Sequence, residues 1–176
     1  MKFTETVLKD AFIVEPVRLE DERGFFARTF CQNEFREHGL STTIAQCNVS
    51  FNHRRGTLRG MHYQVVPKAE DKFVICIGGA IFDVMIDLRE GSPTWGRWVG
   101  VELSGENRRM LYVPKGFAHG YQTLTDNASV LYQVSEFYSP EHERGLRWDD
   151  PAFGIQWPID APILSEKDAS HPYHAK

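Results

Sequence analysis

KFVICIGGAIFDVMIDL, residues 72–88, is the stretch on which the fold turns. Two apolar runs of strand length flank Gly78-Gly79, and a glycine pair between such runs reads as a tight hairpin turn. Outward from it the pattern repeats in both directions. TTIAQCNVSF (42–51) and GTLRGMHYQ (56–64) lie upstream, and GRWVGVEL, RRMLYVP, FAHGYQTL and SVLYQVSEFY follow from residue 96 onward. Gly, Pro, Ser and Asn punctuate each boundary, as in Gly91-Ser92-Pro93-Thr94 and Pro114-Lys115-Gly116. Short strands at this spacing predict an all-β chain, a jelly-roll β-sandwich whose two sheets leave a cavity that inward side chains line.

The N-terminal part fits the same scheme. AFIVEPVRLE (11–20) starts a strand that Pro16 confines to an edge or a bulge. Asp21-Glu22-Arg23-Gly24 is a charged turn into FFARTF, and QNEFREHG (32–39) is one short helix closed by Gly39. Beyond residue 139, Pro, Asp, Glu and Gly predict loops and short pieces. A length of 176 residues predicts a single domain over 1–176.

Composition narrows the function classes. Aromatics at 12% suit half-buried strands. A net charge of -4 with interleaved signs argues against nucleic acid as the main partner, so any anion site is local. No apolar run approaches the ~18 residues of a membrane span, and MKFTETVLKDAF lacks the apolar core of a signal peptide. Cys31, Cys47 and Cys76 are odd in number and widely spaced, which predicts free thiols and a cytoplasmic location.

Two histidines stand out. Strict alternation puts His62 on one face of its strand with Gly60 and Gln64, and Arg59 on the other. Only strand twist or a bulge near Gly60 would bring Arg59 to the cavity rim. His119 sits between Gly116 and Gly120, which suits close backbone approach or simply a bend. The spacings G-x5-H (56–62) and P-x-G-x2-H (114–119) resemble the two signature segments of cupins. Metal-binding cupins continue the first segment as H-x-H, whereas here that position is Gln64, a poor transition-metal ligand. The expectation is a cupin scaffold without its metal, with His62 free to act as a base. Tyr132 and Lys72 are the next polar groups on strand-like runs, one a candidate proton donor and the other a candidate oxyanion stabiliser. Arg23, Arg59, Gln46 and Asn48 suit phosphate and sugar hydroxyls. Each of these also has a plain reading: a satisfied core His, an aromatic core residue, a strand-end lysine, a surface arginine.

Together the segments resemble the dTDP-4-dehydrorhamnose 3,5-epimerase family of nucleotide-sugar epimerases. The matching motifs are DERGFFARTF (21–30), LRGMHYQ (58–64), the Pro67–Lys72 segment, DVMIDLREGSPTWG (83–96), the LSGEN–VPKGFAHG pair (103–120), Tyr132, YSPEHE (138–143), DPAFGIQWP (150–158) and LSEKD (164–168), in family order. The resemblance implies a metal-free RmlC-like jelly roll, a homodimer, and epimerisation at C3 and C5 of a dTDP-4-keto-6-deoxyhexose for deoxysugar and surface-polysaccharide biosynthesis. It implies His62 as base, Asp168 as its dyad partner, Tyr132 as proton donor, and Lys72 and His119 near the substrate carbonyl. It further implies Arg23, Arg59, Gln46, Asn48, Glu143 and Lys167 as binding residues and Tyr138 as the nucleobase-stacking position. No cofactor is implied, because the C4 ketone is itself the electron sink.

The chain departs from the family pattern at Arg28, a further candidate binding residue that stands in place of a substrate-contacting Glu. It departs again at Gln133, often Lys, and in the longer, more basic loop 50–56. These changes fall on the binding rim, which keeps open a C3-only epimerase or one acting on another nucleotide, such as a CDP-linked sugar. A non-catalytic sugar-binding cupin would show no solvent exchange at either carbon.

Overall fold

The structure is a computed structural model and describes residues 1–174. Two antiparallel sheets make the body. The larger has the order β1 (Lys2–Glu5), β2 (Phe12–Glu15), β10 (Met110–Val113), β7 (Lys72–Gly78), β12 (Ala128–Val134) and β5 (Gln46–Asn52). The smaller has the order β13 (Glu143–Gly145), β6 (Leu58–Gln64), β11 (Phe117–Thr123), β8 (Ala80–Asp87) and β9 (Trp98–Ser104). A separate two-stranded ribbon, β3 (Arg18–Asp21) with β4 (Gly24–Ala27), pairs only with itself. The β-sandwich expected from the strand pattern is the architecture found.

The hairpin expected at Gly78-Gly79 is not found. β7 and β8 belong to different sheets, so this turn carries the chain across the sandwich. Gly79 adopts φ +68, and a Cβ there would lie 2.4 Å from Thr125 Oγ1 and 3.1 Å from Ala128 Cα. Glycine is therefore demanded by the crossing itself, at a place where a distant loop packs against the turn.

Both runs around that turn are apolar without clean alternation because each strand is covered on two faces. Val74 and Cys76 of β7 meet Ile81 and Met85 of β8 in the core between the sheets. Phe73 and Ile75 point the other way, against Phe35 of helix α1 (Gln32–Glu37) and Tyr112. Val84 and Ile86 face outward under Leu146, Phe153 and Trp157 of the irregular C-terminal segment. That segment therefore buries the outer face of the smaller sheet. It also brings α2 (Glu166–Ala169) beside β6, through a parallel bridge between Thr57 and Ile163 and a bond from Leu58 N to Ile163 O.

Asp87, at the end of β8 and fully buried, organises the loop that follows it. Its carboxylate accepts from Arg89 Nε and Nη2 at 3.0 and 2.9 Å, from Ser92 Oγ at 2.6 Å and from Thr94 Oγ1 at 2.7 Å. Burial alone would push this acid up; the Arg89, Ser92 and Thr94 bonds outweigh it and hold it at about 2, against 3.8 ordinarily. A depressed acid contributes stability above its unfolded value and loses it as pH falls through the folded one. Asp87→Asn is thus expected to cost about 2 kcal/mol at neutral pH. In urea unfolding the wild-type advantage should shrink as pH drops from about 4 toward about 2. A deficit that stays constant over that window would show that the carboxylate charge is not the source.

Candidate active site

Polar side chains replace the apolar core at one part of the inter-sheet space. A cavity of about 200 Å³ is lined there by Ser50, Arg59, His62, Lys72, His119, Tyr121, Val130, Tyr132 and Asp168. A second cavity of about 320 Å³ shares His62, Lys72 and Tyr132 with it and adds Gln46, Asn48, Glu70, Tyr138 and Glu143. The three shared residues mark the junction of one elongated site. His62 comes from the smaller sheet, while Lys72 and Tyr132 come from the larger, so they face each other across the gap.

A bulge puts Arg59 in this cavity. Opposite β11, His62 pairs with His119 but Arg59 pairs with Tyr121, three residues against two. The extra residue sits at Gly60, φ +134, where a Cβ would come within 2.5 Å of Gly120 Cα. The reciprocal Cβ on Gly120 would lie 2.8 Å from Arg59 O and 2.7 Å from Met61 Sδ. Two facing glycines thus let β6 and β11 touch backbone to backbone and turn Arg59 onto the same side as His62. Its Nε donates to Asn52 Oδ1 at 2.8 Å.

His62 Nε2 lies 2.6 Å from Asp168 Oδ1. Asp168 is held by the short helix that starts at Ser165, whose side-chain oxygen accepts from Asp168 N at 3.1 Å. That N-cap fixes the backbone and leaves the carboxylate for the imidazole. Burial pushes the Asp168 acid up, yet the hydrogen bond and charge of His62 prevail and hold it below the usual carboxylate value. The dyad carboxylate is accordingly an anion at neutral pH. With Nε2 engaged, Nδ1 is the ring nitrogen left to accept a proton.

A second imidazole–carboxylate pair stands on the neighbouring strand. His119 Nε2 is 2.8 Å from Oδ1 of Asp83, which is fully buried. Lys72 Nζ pairs with Glu70 at 3.1 Å, both side chains nearly buried. Burial, reinforced by Tyr121 and Glu70, raises the Tyr132 phenol above its ordinary value while Arg59 opposes, so the hydroxyl carries its proton at neutral pH. Toward the second cavity, Glu143 Oε2 accepts from Tyr138 OH at 2.8 Å and from Lys167 Nζ at 2.6 Å. Gln46 Oε1 accepts from Tyr138 N at 2.8 Å, beside the exposed Tyr138 ring.

The structure brings together His62, Asp168, Tyr132, Lys72, His119, Arg59, Gln46, Asn48, Tyr138 and Glu143, with Lys167 attached through Glu143. It does not bring in Arg23 or Arg28. Arg23 lies at the tip of the β3–β4 ribbon, exposed and paired with Asp21 at 2.6 Å. Arg28 pairs with Glu34 at 3.3 Å and lines a separate recess with Val17, Leu19 and Phe26. Gln64, the position read against a cupin metal, is spent on structure: its amide donates to Lys68 O at 2.8 Å and its oxygen accepts from Ser139 N at 2.6 Å.

Sequence reasoning missed Asp83, Glu70, Ser50, Asn52 and Tyr121. The signal for two of them was present, since Gln46, Asn48, Ser50 and Asn52 share one face of β5 at a period of two. Asp83, an acid in the middle of an apolar strand run, was also visible. A carboxylate so placed needs a buried partner.

Comparison with known proteins supplies the remaining evidence. The family model described as dTDP-4-dehydrorhamnose 3,5-epimerase matches residues 5–176. The dTDP-4-dehydrorhamnose 3,5-epimerase of Methanothermobacter thermautotrophicus is 48% identical over 170 residues, covering 95% of this chain and 91% of that protein. The Shigella flexneri enzyme of the same name is 46% identical over 169 residues, covering 96% and 93%. Among solved structures, the Bacillus anthracis dTDP-4-dehydrorhamnose 3,5-epimerase with TDP and PPi bound superposes with a TM-score of 0.95. It is 43% identical and covers 98% of this chain and 99% of that one.

Proposed function

The chain belongs to the dTDP-4-dehydrorhamnose 3,5-epimerase family, and from that premise we propose that it inverts C3 and C5 of a dTDP-linked 4-keto-6-deoxyhexose. The observation that carries this reading is the placement of His62 and Tyr132 on opposing sheets of one cavity, with Lys72 at the junction. The C4 ketone acidifies the C–H bonds at C3 and C5. His62 Nδ1 removes such a proton, and the electron pair moves into an enolate whose oxygen is met by the Lys72 ammonium. The Tyr132 hydroxyl returns a proton to the opposite face, which inverts the centre. Asp168 keeps the proton of neutral His62 on Nε2 and stabilises the imidazolium once Nδ1 is loaded. The ketone serves as electron sink, so the chemistry calls for no cofactor.

The nucleotide end belongs to the second cavity. The exposed Tyr138 ring suits stacking on a base, and Glu143, Lys167, Gln46 and Asn48 suit its polar groups and the sugar hydroxyls. Arg59 and His119 line the other cavity and suit the diphosphate and the sugar carbonyl. Turnover of dTDP-4-keto-6-deoxyglucose in D2O, followed by proton NMR, should place deuterium at both C3 and C5. Deuterium at C3 alone would make the enzyme a single-centre epimerase, and none at either carbon would make it a binding protein.

The working form is read as a cytoplasmic homodimer of one-domain chains with all three cysteines free. Two apolar surfaces support the dimer. One is the ribbon face with Leu19 and Phe26; the other is the outer face of β5 and β7 with Val49, Phe51 and Ile77, which α1 leaves uncovered. Arg23 lies outside its own chain's cavity, so a role in substrate binding requires that the ribbon reach a partner's site. Light scattering should give twice the 20.2 kDa chain mass, and Arg23→Ala should raise KM. A monomer with full activity would remove both the dimer and the ribbon from the account.

A further inference from the structure

His171 is the one imidazole at the site that the mechanism does not use. It follows α2 closely, with its side chain nearly buried. Its Nε2 has no hydrogen-bond partner among the described residues and lies 3.5 Å from Asp168 Oδ1, the same oxygen that His62 Nε2 contacts at 2.6 Å. The ring has close neighbours on two sides. It stands edge-on to His62 with centroids 5.4 Å apart, and it lies on Gly145 so closely that a Cβ there would come within 2.2 Å of it. Two imidazole nitrogens and one carboxylate oxygen therefore converge, all within 4.8 Å of one another.

We propose that His62, Asp168 and His171 form a capture site for a borderline divalent cation of the Zn2+ type, and that filling it switches the epimerase off. Two His and one Asp are a common donor set for Zn2+, with bonds of about 2.0–2.2 Å and a fourth position left open. Tetrahedral bonds of that length separate the ligand atoms by about 3.3 Å. The His62–Asp168 pair must open slightly and the His171 contacts close, which side-chain rotation supplies. Two of the three ligands, His62 and Asp168, line the first cavity.

Inhibition follows from the proton count. In the metal-free dyad Nε2 of His62 carries the proton and Nδ1 carries the lone pair that attacks the substrate C–H. A cation on Nε2 moves that proton to Nδ1, so the base becomes a donor without any net proton release from His62. The Asp168 charge is consumed by the same ion. This loss of activity rests on His62 being the base; the binding of the ion does not.

Chelator-stripped protein titrated with Co2+ should develop a visible d–d band that saturates at one equivalent, without the sulfur charge-transfer band that the exposed Cys47 would give. His171→Ala should abolish the band. Zn2+ should inhibit the wild type, and His171→Ala, normalised to its own activity in chelator, should need at least about 10-fold more. His171→Gln serves as a volume-conserving variant should the alanine form fail to fold. Equal Zn2+ sensitivity of wild type and both variants, or a band that survives loss of His171, overturns the site. A His171-dependent band with undiminished turnover would keep the site but remove His62 as the base.

Discussion

His62→Ala is expected to lower kcat by about 10²–10⁴-fold, the usual worth of a positioned general base, while KM changes little. In the proposed binding mode the imidazole meets the reacting C–H, while the nucleotide is assigned to the adjoining cavity that Tyr138 and its neighbours line. The fold should tolerate the change, because His62 is partly exposed on the cavity wall and its strand is anchored by Leu58 and Met61, both buried. The decisive readout is solvent exchange: wash-in of deuterium at C3 and C5 should fall together with turnover. Exchange at the wild-type rate in this variant would place the base elsewhere, with His119 the next imidazole in the same cavity.

Tyr132→Phe should separate two events that the wild-type enzyme couples. Removal of the hydroxyl leaves the His62–Asp168 pair intact, so proton abstraction continues. What is lost is the donor on the opposing sheet. Inversion is expected to slow by about 10²-fold or more, while deuterium still enters from the His62 side with the original configuration retained. The phenol suits this task because burial raises its pKa above the ordinary value, keeping the proton in place across the neutral range. Parallel measurement of exchange and of product configuration on one sample tests the assignment. If exchange and inversion both persist unchanged, another group delivers the proton; if both vanish equally, Tyr132 acts in binding or shape.

Much of this architecture was legible in the residues. Strand positions followed from apolar runs bounded by Gly and Pro, and QNEFREHG formed the helix over Gln32–Glu37. Strand β1 and helix α2 were not foreseen. The error at Gly78-Gly79 has a definite cause. Local turn chemistry is the same whether a chain folds back within a sheet or crosses to the facing one. What separates the two is packing by Thr125 and Ala128, some fifty residues away in sequence by rough count. For the site, period-two reasoning placed His62 correctly but left Arg59 opposite it, and only the bulge at Gly60 reverses that. Arg23 was nominated by its chemistry and by resemblance, and Arg28 by the family position it occupies; the self-paired ribbon holds Arg23 away from this chain's cavity, and Arg28 lies beside Glu34 in a separate recess.

The crossing at Gly79 also governs how the chain can assemble. A hairpin would have let β7 and β8 zip together as soon as both existed. Instead β2 finds its inner neighbour β10 only after residues 16–109 have been made, and β5 finds β12 only after residues 53–127. Nearly every ladder of the larger sheet is thus closed by a late segment, and loop-closure entropy is spent before contacts repay it. A nascent chain ending before β12 would present β5 and β7 with unpaired edges, beside Val49, Phe51 and Ile77 that are exposed even in the complete chain. Truncation from the C-terminal side should therefore yield aggregation in place of a smaller folded sandwich, and the residues most exposed to that hazard are those proposed to meet a second copy.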